Sequence, residues 1–251
     1  MDILTLLIVI SVGFIAGVIN TVAAGGSLLT LPTLIFLGLP SAVANGTNRV
    51  ALVVQSIVAT MKFRSSGHFN RRLGYTLGIP AVIGSIIGAN LAISISDEWF
   101  NALLAVMMVI TVIFIVWKPL KTSDLAADAT FTRKQTIIGS ILFFFIGIYG
   151  GFIQAGAGFF IIATLTAVFG ISLIQSNAIK VFVTGLFVSA SLVVFIWNGQ
   201  VNWLIGITLA VGNALGALVG SSIAIHKGDK WIKVFLVITV LAMSFKLLGF
   251  F

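Results

Sequence analysis

The chain has 251 residues, 59% hydrophobic and 8% charged, with a mean hydropathy of +1.21 and a net charge of +8. A water-exposed globular domain of this length needs far more surface charge, so a soluble fold is excluded. Cysteine is absent, which removes disulfides and thiolate metal sites.

Ten apolar segments follow in chain order: 3–22, 26–38, 45–63, 73–95, 99–117, 135–154, 157–170, 177–197, 203–225 and 231–250. A bilayer-spanning helix needs ~20 apolar residues, and most of these segments approach that length. The first reads as a retained helix and not a signal peptide, because Asp2 precedes it and no basic stretch does. Segments 26–38 and 157–170 are too short to span easily as straight helices, so each either crosses irregularly or turns back inside the membrane. The expected fold class is an all-α polytopic membrane protein in one membrane domain, 1–251.

The charges fix an orientation. Lys62, Arg64, Arg71 and Arg72 cluster in one loop, Lys118, Lys121, Arg133 and Lys134 flank a second, and Lys227, Lys230 and Lys233 mark a third. Positive loops stay in the cytoplasm, which leaves the Asp97–Glu98 loop outside. This placement also accounts for the basic charge without nucleic acid. Trp99, Trp117, Trp197, Trp203 and Trp231 all sit at segment ends, as interfacial aromatics do.

The chain repeats itself. Gly13 and Gly17 correspond to Gly147 and Gly151; after a two-residue gap, Gly38 pairs with Gly170, Asn45 with Asn177, Gly67 with Gly199, Gly74 with Gly206, Gly84 with Gly216 and Gly88 with Gly220. Repeat one covers 3–117, a cytoplasmic linker 118–134, and repeat two 135–251. An odd number of segments per repeat inverts the second copy. The loop around Gly67 is basic and its counterpart Asn198–Asn202 is uncharged, which agrees. Inverted repeats with short broken segments near the centre are a recurrent transporter architecture. Ten crossings then place both termini outside. Glycine pairs four apart, Gly84/Gly88, Gly212/Gly216 and Gly216/Gly220, read as helix-packing contacts.

Three cations fall outside the basic loops. Lys246 is near the end of the chain and reads as snorkelling to an interface. Arg49 and Lys180 lie inside the third segment of each repeat, where a charge usually has a functional partner. Together they make a candidate anion site. Asn20, Thr21, Gly25, Gly26 and Ser27 form a polar break between segments one and two, and Gln154, Gly156 and Gly158 form the matching break in repeat two. Broken helices expose N-terminal N–H groups that favour anions. The alternative is a tight surface hairpin. Asn45, Gly46, Thr47 and Asn48, with Ser176 and Asn177, read as helix N-caps that double as ligand donors. The substrate-binding set is therefore Asn20, Thr21, Gly25, Gly26, Ser27, Asn45, Thr47, Asn48, Arg49, Gln154, Gly156, Asn177 and Lys180. No acidic or histidine residue falls mid-segment, so neither a bound metal, a cofactor nor an intramembrane proton relay is expected, and no hydrolytic constellation is present.

Two stretches carry a family resemblance: GVINTVAAGGSLLTLPTLIFLGLPSAVANGTNR over Gly17–Arg49, and GIYGGFIQAGAG over Gly147–Gly158, followed by NGQVNWLIG. The chain resembles the sulfite exporter TauE/SafE family of bacterial membrane permeases over nearly its whole length. The resemblance implies a multi-pass protein of the bacterial inner membrane that moves sulfite, a sulfonate or another small anion. Relatives often carry an acidic residue where this chain has Asn20, and again near Gly150. Without those carboxylates the expectation is a permease working by alternating access, either driven by the membrane potential or coupled to protons through protonation of the substrate itself. A permease for a neutral solute and a non-transporting accessory subunit are the competing readings. The expected partners are a small anion and the lipid bilayer, with a homo-oligomer possible.

Overall fold

A computed structural model describes residues 3–65, 69–116 and 130–226, and among them every regular element is an α-helix. In chain order they are α1 (Ile3–Ala23), α2 (Ser27–Phe36), α3 (Ser41–Ser65), α4 (Arg71–Ser94), α5 (Asp97–Val116), α6 (Arg133–Phe152), α7 (Ala157–Phe169), α8 (Leu173–Trp197) and α9 (Trp203–His226). The all-helical membrane fold expected from composition is what forms. Five helices, α1, α4, α6, α8 and α9, are long and apolar enough to cross a bilayer. The segment 231–250, with Trp231 and Lys246, lies outside the described residues, as do Trp117, Lys118, Lys121, Lys227, Lys230 and Lys233.

Local chemistry sets the helix ends. Asn70 accepts from the Leu73 N–H at 2.9 Å to start α4, and Thr132 with Gln135 forms a reciprocal capping box at the start of α6. Ser172 caps α8, and Gly38 and Gly170, both in the left-handed region, end α2 and α7. Two boundaries correct the sequence reading. Helices α3 and α8 begin at Ser41 and Leu173, one turn before 45 and 177, because Pro40 accepts from Ala44 N–H at 2.8 Å and Ser172 supplies the cap. Asn45, Gly46, Thr47, Asn48, Ser176 and Asn177 are thus buried helix-interior residues and not N-caps.

The helices pack through small residues and turn large ones outward, as lipid-facing bundles do. A Cβ at Gly84 or Gly88 would collide with the carbonyl of Phe144 or Ile148 on α6; one at Gly212 or Gly216 would collide with Ile10 or Phe14 on α1. The glycine pairs are helix-packing contacts. On the opposite faces, Ile79, Ile83, Ile141, Phe145, Ile207 and Leu215 are exposed.

The packing is reciprocal between the two halves. α1 lies on α9, and α4 on α6; α3 lies on α9, and α4 on α8. Matched residues meet matched residues: Gly206 approaches Val50, and Gly74 approaches Phe182. Direction follows from which residues touch. Along α1 and α9, Gly13 faces Leu209 and Gly17 faces Ala217, so these helices run parallel. Along α3 and α8, Gly46 faces Phe195, Arg49 meets Ser191 and Ser56 faces Gly185, so these run antiparallel.

Candidate functional site

Both halves are interrupted at the same point. α1 stops at Ala23 and α2 starts at Ser27; α6 stops at Phe152 and α7 starts at Ala157. Among the described residues, only Ala24 (φ 71°) and Gln154 (φ 70°) are non-glycine residues in the left-handed region, one in each break. Such a conformation costs about 1–3 kcal/mol and persists only where the surroundings impose it. At the second break the Tyr149 hydroxyl donates to the Ala155 carbonyl and ties the two sides together.

A helix that stops inside protein leaves carbonyls without partners. Here the third helix of the opposite half supplies them. Arg49 is fully buried. Its Nη1 donates to the Gly150 carbonyl (3.2 Å) and Ser191 Oγ (2.6 Å), and its Nη2 to the Gly151 carbonyl (2.5 Å) and Asn45 Oδ1 (3.2 Å). The guanidinium also stacks 4.6 Å from the Phe195 ring centre. Asn45 Nδ2 donates to the Phe152 carbonyl at 2.7 Å. The last turn of α6 is thus held by a cation and an amide, the favoured charge at a helix C-terminus. The other half mirrors this. Lys180 Nζ donates to the Asn20 carbonyl (2.8 Å) and Asn177 Oδ1 (2.6 Å), and Asn177 Nδ2 to the Val22 carbonyl (3.4 Å), at the end of α1.

The two cations differ in what lies beside them. Lys180 borders a small polar pocket that encloses about 310 Å³ counting its open mouth. Asn20, Ala24 and Ser27 from the first break and Gln154 and Gly158 from the second line it, with Gln55 and Ser56 on α3 and Val181 and Thr184 on α8. Ser27 and Gly158 belong to the first turns of α2 and α7, so two helix N-termini meet here beside one ammonium group. Among the described residues no carboxylate lines the pocket. Asn20 Nδ2 donates to Gln55 Oε1 at 3.1 Å. Gln55 stands about 21 Å along α3 from its start, and Lys180 about 10 Å along antiparallel α8. The pocket is therefore deep between the helices, not a hairpin at one surface.

Of the residues singled out in the sequence, Asn20, Ser27, Gln154, Gly158 and Lys180 converge on this pocket. Arg49 and Asn45 are sealed against α6, and Asn177 against α1. Thr21 donates to the Gly17 carbonyl at 2.7 Å, and Thr47 Oγ1 accepts from Asn202 N–H at 2.9 Å. Gly26 packs tightly on Ala16, Gly25 accepts from Leu28 N–H at 3.1 Å, and Gly156 (φ 78°) precedes α7. Asn48 is fully buried with neither amide atom hydrogen-bonded. Gln55, Ser56 and Thr184 were not singled out. Their signal is polarity inside otherwise apolar runs, Val53–Ile57 and Val181–Val188.

A family model described as sulfite exporter TauE/SafE matches residues 9–247. A probable membrane transporter protein of Sinorhizobium sp is 29% identical over 236 residues, covering 94% of this chain and 89% of that protein. One from Haemophilus influenzae is 29% identical over 245 residues, covering 96% and 94%. The probable membrane transporter protein YfcA of Escherichia coli K12 is 30% identical over 244 residues, covering 94% and 87%.

Proposed function

The chain belongs to the sulfite exporter TauE/SafE family and is a multi-pass membrane protein, and from that premise we propose that it is a permease, not an enzyme, for a small anion of the sulfite or sulfonate type in a bacterial plasma membrane. One observation carries the anion reading: Lys180 and the N-termini of α2 and α7 meet at a deep polar pocket that, among the described residues, no carboxylate lines. An ammonium and two helix dipoles supply positive potential where desolvation would otherwise exclude an anion. Lys180 binds the substrate; Asn20, Gln55, Ser27, Ser56 and Thr184 supply amides and hydroxyls to replace its water.

The reciprocal packing of the halves and the antiparallel run of α3 and α8 support an inverted repeat. In such a frame one half rocks against the other, exposing a central site to each side in turn. Among the described residues no acidic group lines the pocket to carry a proton, so the membrane potential drives the flux, ~2.3 kcal/mol per charge per 100 mV.

The test is flux of sulfite and methanesulfonate in proteoliposomes with an imposed potential. Transport should rise as the potential favours anion movement, and Lys180→Gln should lower it at least tenfold while the protein still folds. Flux indifferent to potential would instead indicate a neutral solute. An unchanged rate in Lys180→Gln would remove Lys180 from the site.

A further inference from the structure

Gln154 stands out among the pocket residues. It occupies the left-handed region, where glycine would be relaxed, and glycine is indeed used at Gly156, two residues on. Its side chain is 4% exposed, and Oε1 is buried with no hydrogen-bond partner among the described residues. Two of the donors that line the pocket with it are engaged elsewhere. The Asn20 amide donates to Gln55, and the Lys180 ammonium to the Asn20 carbonyl and Asn177 Oδ1. A strained glutamine whose oxygen has no donor is costly twice over, so its side chain earns retention through something absent from the free protein. An anion alone does not satisfy it, because anionic oxygens are acceptors too and face Oε1 unfavourably.

We infer that Gln154 is the specificity-determining residue of this pocket, and that the anion admitted here is a monoanion carrying its own O–H or N–H donor beside its anionic oxygens. The inference rests on the anion-permease reading above and adds the second recognition element. Among the described residues Lys180 is the one cation lining the pocket, which matches one negative charge. Gln154 Oε1 accepts the substrate's donor. A site built to pair a substrate hydroxyl discriminates against the analogue that lacks it, because the buried acceptor is then left unpaired.

Ethanesulfonate and 2-hydroxyethanesulfonate form a suitable probe pair. Both are permanently monoanionic and differ by one hydroxyl. Uptake of each is measured in proteoliposomes holding the full chain, with calorimetric binding in detergent as a second readout. The wild-type protein should prefer the hydroxylated sulfonate by about tenfold or more. In Gln154→Met that ratio should fall to about one, whatever the absolute rate. Gln154→Gly, which suits the backbone and also lacks the oxygen, should do the same if the methionine variant folds poorly. Lys180→Gln should weaken both sulfonates together and leave their ratio unchanged. Equal handling of the two by the wild type, a preference for ethanesulfonate, or a preference that survives in both Gln154 variants would overturn the assignment while leaving an anion permease standing. Failure of the wild type to bind or move either sulfonate, or sulfite, would remove the anion reading itself.

Discussion

Arg49 and Lys180 occupy almost matching places and both end the broken helix of the other half, yet their surroundings divide their tasks. Each guanidinium hydrogen bond to a buried acceptor is a charge-assisted bond, worth about 1.5–3 kcal/mol. Arg49 makes four of them, three to the Gly150 and Gly151 carbonyls and Ser191. Arg49→Gln should therefore act first on stability, by about 3 kcal/mol, read as a lowered melting temperature in detergent. Arg49→Lys keeps the charge but cannot span two carbonyls and stack on Phe195, so it should fall between. Lys180→Gln gives up two such bonds, to the Asn20 carbonyl and Asn177 Oδ1, so it should lower the melting temperature less than Arg49→Gln while losing far more flux. Coincident behaviour of the two cations in both assays would refute this division. In sequence, both residues were equally visible as charges inside apolar runs. Nothing local to either position separates a cation sealed on a helix end from one beside a pocket, because the helix-end carbonyls they meet lie more than a hundred residues away.

At the level of helices, contact between α1 and α9 and between α4 and α6 depends on backbones that touch. A Cβ at Gly17 would collide with the Asn213 carbonyl, and one at Gly151 with the Ser85 carbonyl. Neither obstacle is the flexible end of a side chain, so the helices would have to separate. Gly17→Ala and Gly151→Ala should each destabilise by about 1–3 kcal/mol, since each would drive a Cβ into a backbone carbonyl. Thermal unfolding of the purified variants tests this. Gly38→Ala should cost less, because open space surrounds that position and only its left-handed backbone opposes a side chain. The small-residue spacing announced these contacts in the sequence. It did not announce where α3 and α8 begin: Asn45 and Asn177 resemble caps, but proline and serine four or five residues earlier start each helix first.

For the whole molecule, antiparallel α3 and α8 place the Lys62–Ser65 end of one beside the start of the other, so Ser65 and Asn198 belong to opposite faces. The natural absence of cysteine makes this directly measurable. In intact cells, a membrane-impermeant maleimide should label Asn198→Cys, whereas Ser65→Cys should react only after the membrane is opened. Both side chains are exposed, so access is not the limiting factor. Labelling of both from one side would overturn the inverted arrangement.

The sequence by itself determined the solvent this protein folds in, the helical class and the two interruptions, because each is a property of composition, run length or spacing along the chain. Only the tertiary structure decided that the two breaks meet, that Gln55, Ser56 and Thr184 join them, and that Lys180 rather than Arg49 borders the pocket. Those facts arise from how separate helices satisfy the carbonyls a broken helix leaves open, and that pairing exists only once distant segments are packed together.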